Sequence, residues 1–411
     1  MRRIWAITCL FAAATASLAA AVPALAPAER EAVLAVAKWL WSNPELGDGE
    51  FKAAERQTAF LRAHGFAVSE KYCGMATAYR AEFASPSAKG PVFAFCTEYD
   101  ALPEVGHACG HNLNCGASLA AALMVKAAME KGNAAGRMVL LGCPAEETRG
   151  GKIDMADAGA LDGVDAIMMS HAVSGSKPIR DTGYAGARNV GVKYIGRGGS
   201  PVARCAPPAI RNPLDAQTLL YQAVGMRRHY SASDVAVAGT ITKAGERSNM
   251  VPEESTSSYT VRSQSLARLE ETAAELERMA KGAAMLAGVE AEVRISGRYK
   301  PTRPCFELCD AYLDAIAEFG LVGKKSHETE VMFAATDFGN FSQLKPGAHV
   351  HFPIMAEAAC HSRDFAEACN RPAAYDSMFA SGSAMAATAL KFLRDADFRE
   401  RVAAEFAKAE R

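Results

Sequence analysis

The alternation of apolar and polar positions divides the chain into a series of short elements. From Pro27 to about Asn43 the run AEREAVLAVAKWLWSN sets Val33, Val36, Ala37, Leu40 and Trp41 on one face at helical spacing, and Asn43-Pro44 stops it. A second helix is predicted from about Gly49 to His64, closed by Gly65, with strands near Ala76 to Phe83 and Val92 to Cys96. The apolar run CGASLAAALMVKAAMEKG predicts a helix whose small residues let it lie close to a sheet. Next come the strand RMVLLGCP, a helix near Lys152 to Ala158 and the strand DAIMMSHA. Strands alternating with helices predict an α/β layer with a largely parallel sheet, in which functional groups fall at strand ends.

The pattern changes after about Arg188. Strand Asn189 to Ile195, helix Leu214 to Arg228, strands Val235 to Thr242 and Ser255 to Ser263, helix Leu266 to Leu286 and strand Val289 to Ser296 follow in the order βαββαβ. That order is the one of a ferredoxin-like α+β sandwich, complete in itself and therefore an insertion. The α/β material resumes near Pro301 and ends in helices Tyr375 to Phe392 and Asp397 to Lys408. The expected organisation is a catalytic domain in two parts, 27–187 and 301–411, around an inserted domain, 188–300.

A length of 411 residues agrees with two domains. The first 26 residues stand apart: Arg2 and Arg3 precede an apolar stretch from Ile4 to about Leu18, with cleavage points after Ala19, Ala21 or Ala26. This is the layout of a secretory signal, too short and too Ala-rich for a lasting membrane span, so a periplasmic or secreted home is expected; an uncleaved anchor is the alternative. The formal net charge of −1 provides no basic field for nucleic acid or an anionic membrane, which leaves a small molecule or peptide as partner. Of eleven cysteines, ten remain once Cys9 leaves with the signal. An oxidising compartment permits disulfides, and Cys305 with Cys309 and Cys360 with Cys369 are close enough in sequence to pair.

The chemistry concentrates in Glu98 to His111, EYDALPEVGHACGH, just after the strand ending at Cys96. Asp100, His107, Cys109 and His111 lie within twelve residues, and imidazole and thiolate are donors that zinc prefers. A sharp turn at Gly110 would let Cys109 and His111 converge. In LLGCPAEE the adjacent carboxylates of Glu146 and Glu147 follow another strand, and neighbouring acids repel unless cations or a shared proton hold them. His171 ends the strand DAIMMSHA. Taken singly, a surface Glu pair or a core histidine would explain the last two.

GHACGHN, PAEE, a histidine ending the following strand and a late histidine in ACHSRDF, together with EYDALP, TDFGN and the inserted sandwich, resemble the co-catalytic metallopeptidase family of aminoacylases and glutamate carboxypeptidases. The branch it resembles includes p-aminobenzoyl-glutamate hydrolase, indole-acetyl-amino-acid hydrolases and β-alanyl-dipeptide-cleaving enzymes. The resemblance implies two divalent ions, zinc first with manganese or cobalt as alternatives, held by Cys109, His111, Glu147, His171 and His361. It further implies that Asp100 orients a ligand, that Glu146 is the general base, and that amide bonds of N-acyl amino acids, aminobenzoyl-glutamate-like conjugates or dipeptides are hydrolysed. Asn249 and Arg262 match substrate-binding positions, Arg262 suiting bidentate capture of a carboxylate. Thr336, Asp337 and Gly339 match a loop near the substrate's tail, and a homodimer through the inserted domain is implied. One position departs: where the family carries a lid histidine in a GKASHA-like turn, this chain has Ser200 in GRGGSPVARCAPP. That loss leaves room for a second reading, an exported binding protein that keeps the cleft and releases its ligand uncut.

Overall fold

The computed structural model describes residues 22–87, 89–200, 210–323 and 333–408. The expected signal segment lies largely outside them, as do Arg204 and Cys205 of the lid turn. Two sheets organise the chain. The first holds β1 (Ala67–Glu70), β2 (Tyr79–Ala84), β3 (Val92–Thr97), β4 (Arg137–Gly142), β5 (Ala166–Val173) and β10 (Gly347–Pro353), in the order β1-β2-β4-β3-β5-β10. Strands β4, β3, β5 and β10 run parallel, while β1 and β2 add an antiparallel edge. Every residue of β3 is buried, as the continuous run VFAFCT requires of a strand covered on both faces.

Around this sheet lie α1 (Pro27–Ser42), α2 (Phe51–Ala63), α3 (His111–Glu130) and α4 (Gly151–Asp157) from the first half of the chain. The second half supplies α7 (Phe306–Ala317), α8 (Phe338–Ser342), α9 (Arg363–Ala368), α10 (Pro372–Arg394) and α11 (Ala396–Lys408). Helix α3 is the central one, buried along nearly its whole length in one core with α1, α7 and α10. Small residues make this close approach possible: a Cβ at Gly382 of α10 would stand 2.8 Å from the Ala117 carbonyl of α3. A smaller core on the other face joins β3, β4 and β5 to Met155, Leu161, Phe338 and Phe341.

Between β5 and α7 the chain builds the second sheet from β6 (Gly186–Ile195), β7 (Val235–Lys243), β8 (Glu254–Ser263) and β9 (Glu290–Tyr299), in the order β7-β8-β6-β9 and antiparallel throughout. Helices α5 (Pro213–Arg227) and α6 (Leu266–Ala287) pack on it around Val190, Val192, Tyr194 and Val261. This is the βαββαβ sandwich that the periodicity predicts. No helix among the described residues is long and apolar enough to cross a membrane.

Candidate metal centre

The parallel strands point their C-terminal ends to one edge, and the predicted donors gather there. Strand β3 leads into Glu98 and Asp100, β4 leads into Glu146 and Glu147, and β5 carries His171. Between β3 and α3 the backbone turns at Gly110, whose φ of +79° and 2.6 Å clearance from Ala172 Cβ to an added Cβ leave room for glycine only. That turn brings Cys109 and His111 to the same side. The loop after β10 returns with His361, whose N–H donates to the Ala108 carbonyl at 2.9 Å and so fixes it beside Cys109.

Four groups of donor atoms lie mutually within 4.8 Å: Cys109, His111 and His171; His111, Glu146 and Glu147; Cys109, Cys360 and His361; and Glu98, Glu146 and Asp337. Cys109 Sγ stands 3.5 Å from His171 Nε2, and His361 Nε2 stands 3.5 Å from Glu147 Oε1. The five residues expected to ligate therefore converge, although they span Cys109 to His361 in sequence.

The hydrogen bonds leave the correct atoms free. His111 Nδ1 donates to Asp100, with the carbonyl at 2.9 Å and Oδ1 at 3.0 Å, which in the neutral ring puts the lone pair on Nε2. His171 Nδ1 donates to the Ala172 carbonyl at 2.8 Å, with the same result. Asp100 Oδ2 also accepts from the Glu147 N–H at 2.9 Å, so one carboxylate orients two donors. His111 Nε2 and Glu147 Oε1 are buried without a hydrogen-bond partner, an arrangement that is costly unless a cation completes it. The donor set thus fits a pair of divalent ions.

Glu146 is set by its surroundings. Ala145 before it takes a φ of +60°, and the Glu50 carboxylate holds that backbone by accepting the Ala145 N–H at 2.7 Å. Burial first, then the negative charges of Glu98 and Asp337, raise the Glu146 carboxyl well above its ordinary range. That direction makes the carboxyl hold a proton more readily than a free one.

Behind Glu146 lies a buried ion-pair network for which the sequence shows no local sign. Lys152 Nζ, with no exposed surface, donates to Glu98 Oε1 at 2.5 Å and to Asp337 Oδ1 at 2.7 Å. Burial opposes the Lys152 charge, but Asp337 and Glu98 outweigh it and keep the ammonium protonated. Glu98 Oε2 lies 3.4 Å from His111 Nε2 and accepts from Asn114 Nδ2 at 3.2 Å, while Asn114 Oδ1 accepts the Ala172 N–H at 2.9 Å. Asp337, in the TDFGN loop, is thus the buried partner of Lys152. Strand β10 adds two more imidazoles, His349 and His351, with ring centroids 5.6 and 6.3 Å from that of His171. Tyr184 reaches His351 Nε2 at 2.7 Å. The alternation in GAHVHFP, which sets both histidines on one face, is the signal that could have revealed them.

Other expectations fall differently. His107, left out of the expected ligand set, is buried outside the donor groups, and burial and then His111 lower its imidazole to about 3. Arg262 donates to the Phe333 carbonyl at 2.5 Å, which places it where β8 meets the catalytic part. Asn249 is exposed in the turn between β7 and β8, and Ser200 is exposed in the lid turn. The suggested disulfides are corrected, since all nine described cysteines are free. Cys305 Sγ donates to Glu405 Oε2, Cys309 packs in the core, and Cys360 faces Cys109 at 3.9 Å instead of Cys369.

Strand-end donors of this kind on an α/β layer with an inserted sandwich define a dinuclear metal hydrolase. A dinuclear metal-binding peptidase of the M20 family from Bacillus subtilis shares the fold, with a TM-score of 0.70 at 20% identity over 89% of this chain and 99% of that one. In sequence the chain is 34% identical to the Xaa-Arg dipeptidase of Mus musculus, over 90% of this chain and 88% of the relative. It is 28% identical to one of the subunits of the p-aminobenzoyl-glutamate hydrolase of Escherichia coli, over 73% and 65% respectively. The family model for peptidase family M20/M25/M40 matches residues 94–396, and the chain belongs to that family.

Proposed function

We propose that the protein hydrolyses the amide bond of dipeptides or N-acyl amino acids with two divalent ions held by Cys109, His111, Glu147, His171 and His361. The observation that carries this reading is the convergence of those five donors beside Glu146, with buried, unpartnered atoms on His111 and Glu147. Two bound ions would supply Lewis-acid polarisation of the amide carbonyl and a water whose pKa is drawn toward neutrality. The chain's own residues do the rest. Glu146, within the donor group of His111 and Glu147, takes the proton from the attacking water and returns it to the departing amine nitrogen. Asp100 holds the His111 tautomer and the Glu147 backbone, so the donors need no rearrangement. Arg262, half-buried beside the Phe333 carbonyl, would supply a cation for the substrate carboxylate.

The thiolate and imidazole donors favour zinc over manganese or cobalt. Export rests on the charged-then-apolar first 26 residues, and dimerisation through the inserted domain rests on the family resemblance. The activities for which the relatives are named define the first substrates to try: Xaa-Arg dipeptides, p-aminobenzoyl-glutamate and N-acetylcysteine. Ser200 in place of the lid histidine favours a second reading, a module that binds without cleaving. Zinc-loaded wild type and Glu146→Ala assayed on that panel separate the two. Hydrolysis by the wild type alone supports the enzyme, and identical inactivity with retained ligand binding supports the module.

A further inference from the structure

The site holds one metal-binding side chain that the five donors leave unused. Cys360 is a free, exposed thiol whose Sγ stands 3.9 Å from Cys109 Sγ. A disulfide needs its sulfurs about 2.05 Å apart, so the pair is not poised as a bond. Two sulfurs on one tetrahedral zinc, each about 2.3 Å from the ion, stand about 3.8 Å apart. The observed spacing, which also suits a thiol–thiol hydrogen bond, fits a shared ion. His361 belongs to the same group, its ring nitrogen within 4.8 Å of both sulfurs.

The backbone explains how adjacent residues reach one point. In extended chain Cys360 and His361 would face opposite ways. His361 instead has a φ of +65°, a left-handed conformation that a histidine adopts at a cost, and it swings both side chains toward Cys109. The bond from the His361 N–H to the Ala108 carbonyl locks this arrangement against the residue preceding Cys109. The carboxylate of the two-ion reading borders this group. Glu147 Oε1, on a side chain only 10% exposed, has no hydrogen-bond partner and lies 3.5 Å from His361 Nε2.

We propose that Cys360 is an additional thiolate ligand, joining Cys109 and His361 on one of the two ions and biasing that position toward thiophilic cations such as zinc or cadmium over manganese. The proposal rests on the dinuclear reading above and adds to it a sulfur-rich position and a metal preference. Ligation requires the Cys360 thiol to release its proton to solvent as the cation binds, a step that consumes no oxidant.

The test is metal-edge X-ray absorption of the reduced, zinc-loaded full chain, comparing wild type with Cys360→Ser and Cys360→Ala. Metal content is measured on each sample, and competitive loading sets zinc against manganese. We expect the number of sulfurs near 2.3 Å from zinc to fall in both variants. The zinc-over-manganese preference should weaken by at least about tenfold. Because Cys360 is exposed, circular dichroism of the variants should match wild type. An unchanged sulfur number and preference, with two ions still bound, would overturn the Cys360 assignment alone. Less than about one ion per wild-type chain would overturn the dinuclear reading with it. A metal-free chain two hydrogens lighter through a Cys109–Cys360 disulfide, persisting under reduction, would also contradict the proposal.

Discussion

The two walls of the metal centre are built on opposite terms. His111 is wholly buried and clamped by Asp100, with Glu98, Lys152 and Asp337 forming a closed polar network behind it. His361 stands across from it on the loop after β10, its side chain 54% exposed, held by one backbone bond and a left-handed turn. The inner wall belongs to the fold's core, so its donors keep their positions for as long as the domain is folded. The outer wall is cheap to alter, and there the chain has placed a thiol next to its last imidazole. Rigidity and adaptability are thus divided between the two sides of one site.

Removing the proton acceptor tests the inner wall most severely. Glu146→Gln should lower kcat by about 100- to 10,000-fold while bound metal stays constant, as single-turnover assays and metal analysis would show. An active Glu146→Gln would transfer the base role elsewhere. Lys152→Met strands two buried carboxylates and should cost about 3–5 kcal/mol of folding stability in urea titrations. A loss near zero would mean that water reaches the network and that the inner wall is softer than its burial implies.

The outer wall should respond differently. His361→Asn keeps the left-handed backbone and removes the imidazole, so it should weaken metal binding by at least about tenfold. It should shift metal-free stability by no more than about 0.5 kcal/mol. Calorimetric titration and unfolding of the same sample measure both, and a large stability loss would erase the distinction between the walls. Asp100→Asn, which disturbs both the His111 tautomer and the Glu147 backbone, should cost about 10- to 100-fold in metal affinity.

The smallest effect concerns pH. Burial, opposed by hydrogen bonds from backbone N–H groups and Thr77, raises the Glu50 carboxyl from 4.5 to about 7. A folded pKa above the unfolded one gives stability that is complete below about 4.5 and is lost as pH rises through about 7. Glu50→Gln should therefore gain on wild type over that window, by on the order of 1 kcal/mol. Parallel stability curves for the two proteins would show that Glu50 titrates normally.

The sequence made the inner wall's residues legible because Asp100, Cys109 and His111 sit in one strand-to-helix connection, and Glu146 with Glu147 in the next. Helical and strand periodicity likewise located the inserted sandwich. Lys152 stayed hidden because its partners lie 54 and 185 positions away, and a lysine within a short helix reads as solvated. Strand β10 was hidden by its histidines, which interrupt an otherwise apolar run, and β1 by its four mostly exposed residues. The cysteine pairings suggested by proximity in sequence failed because chain direction, which sequence spacing does not encode, turns Cys360 toward Cys109.

In the proposed centre, five scattered side chains hold two divalent ions next to Glu146. Anomalous diffraction at the zinc edge from crystals of the zinc-loaded protein tests it most directly. Two peaks are expected among Cys109, His111, Glu147, His171 and His361, both within reach of the Glu146 carboxylate. Peaks located elsewhere on the chain, or none among these donors, would contradict it.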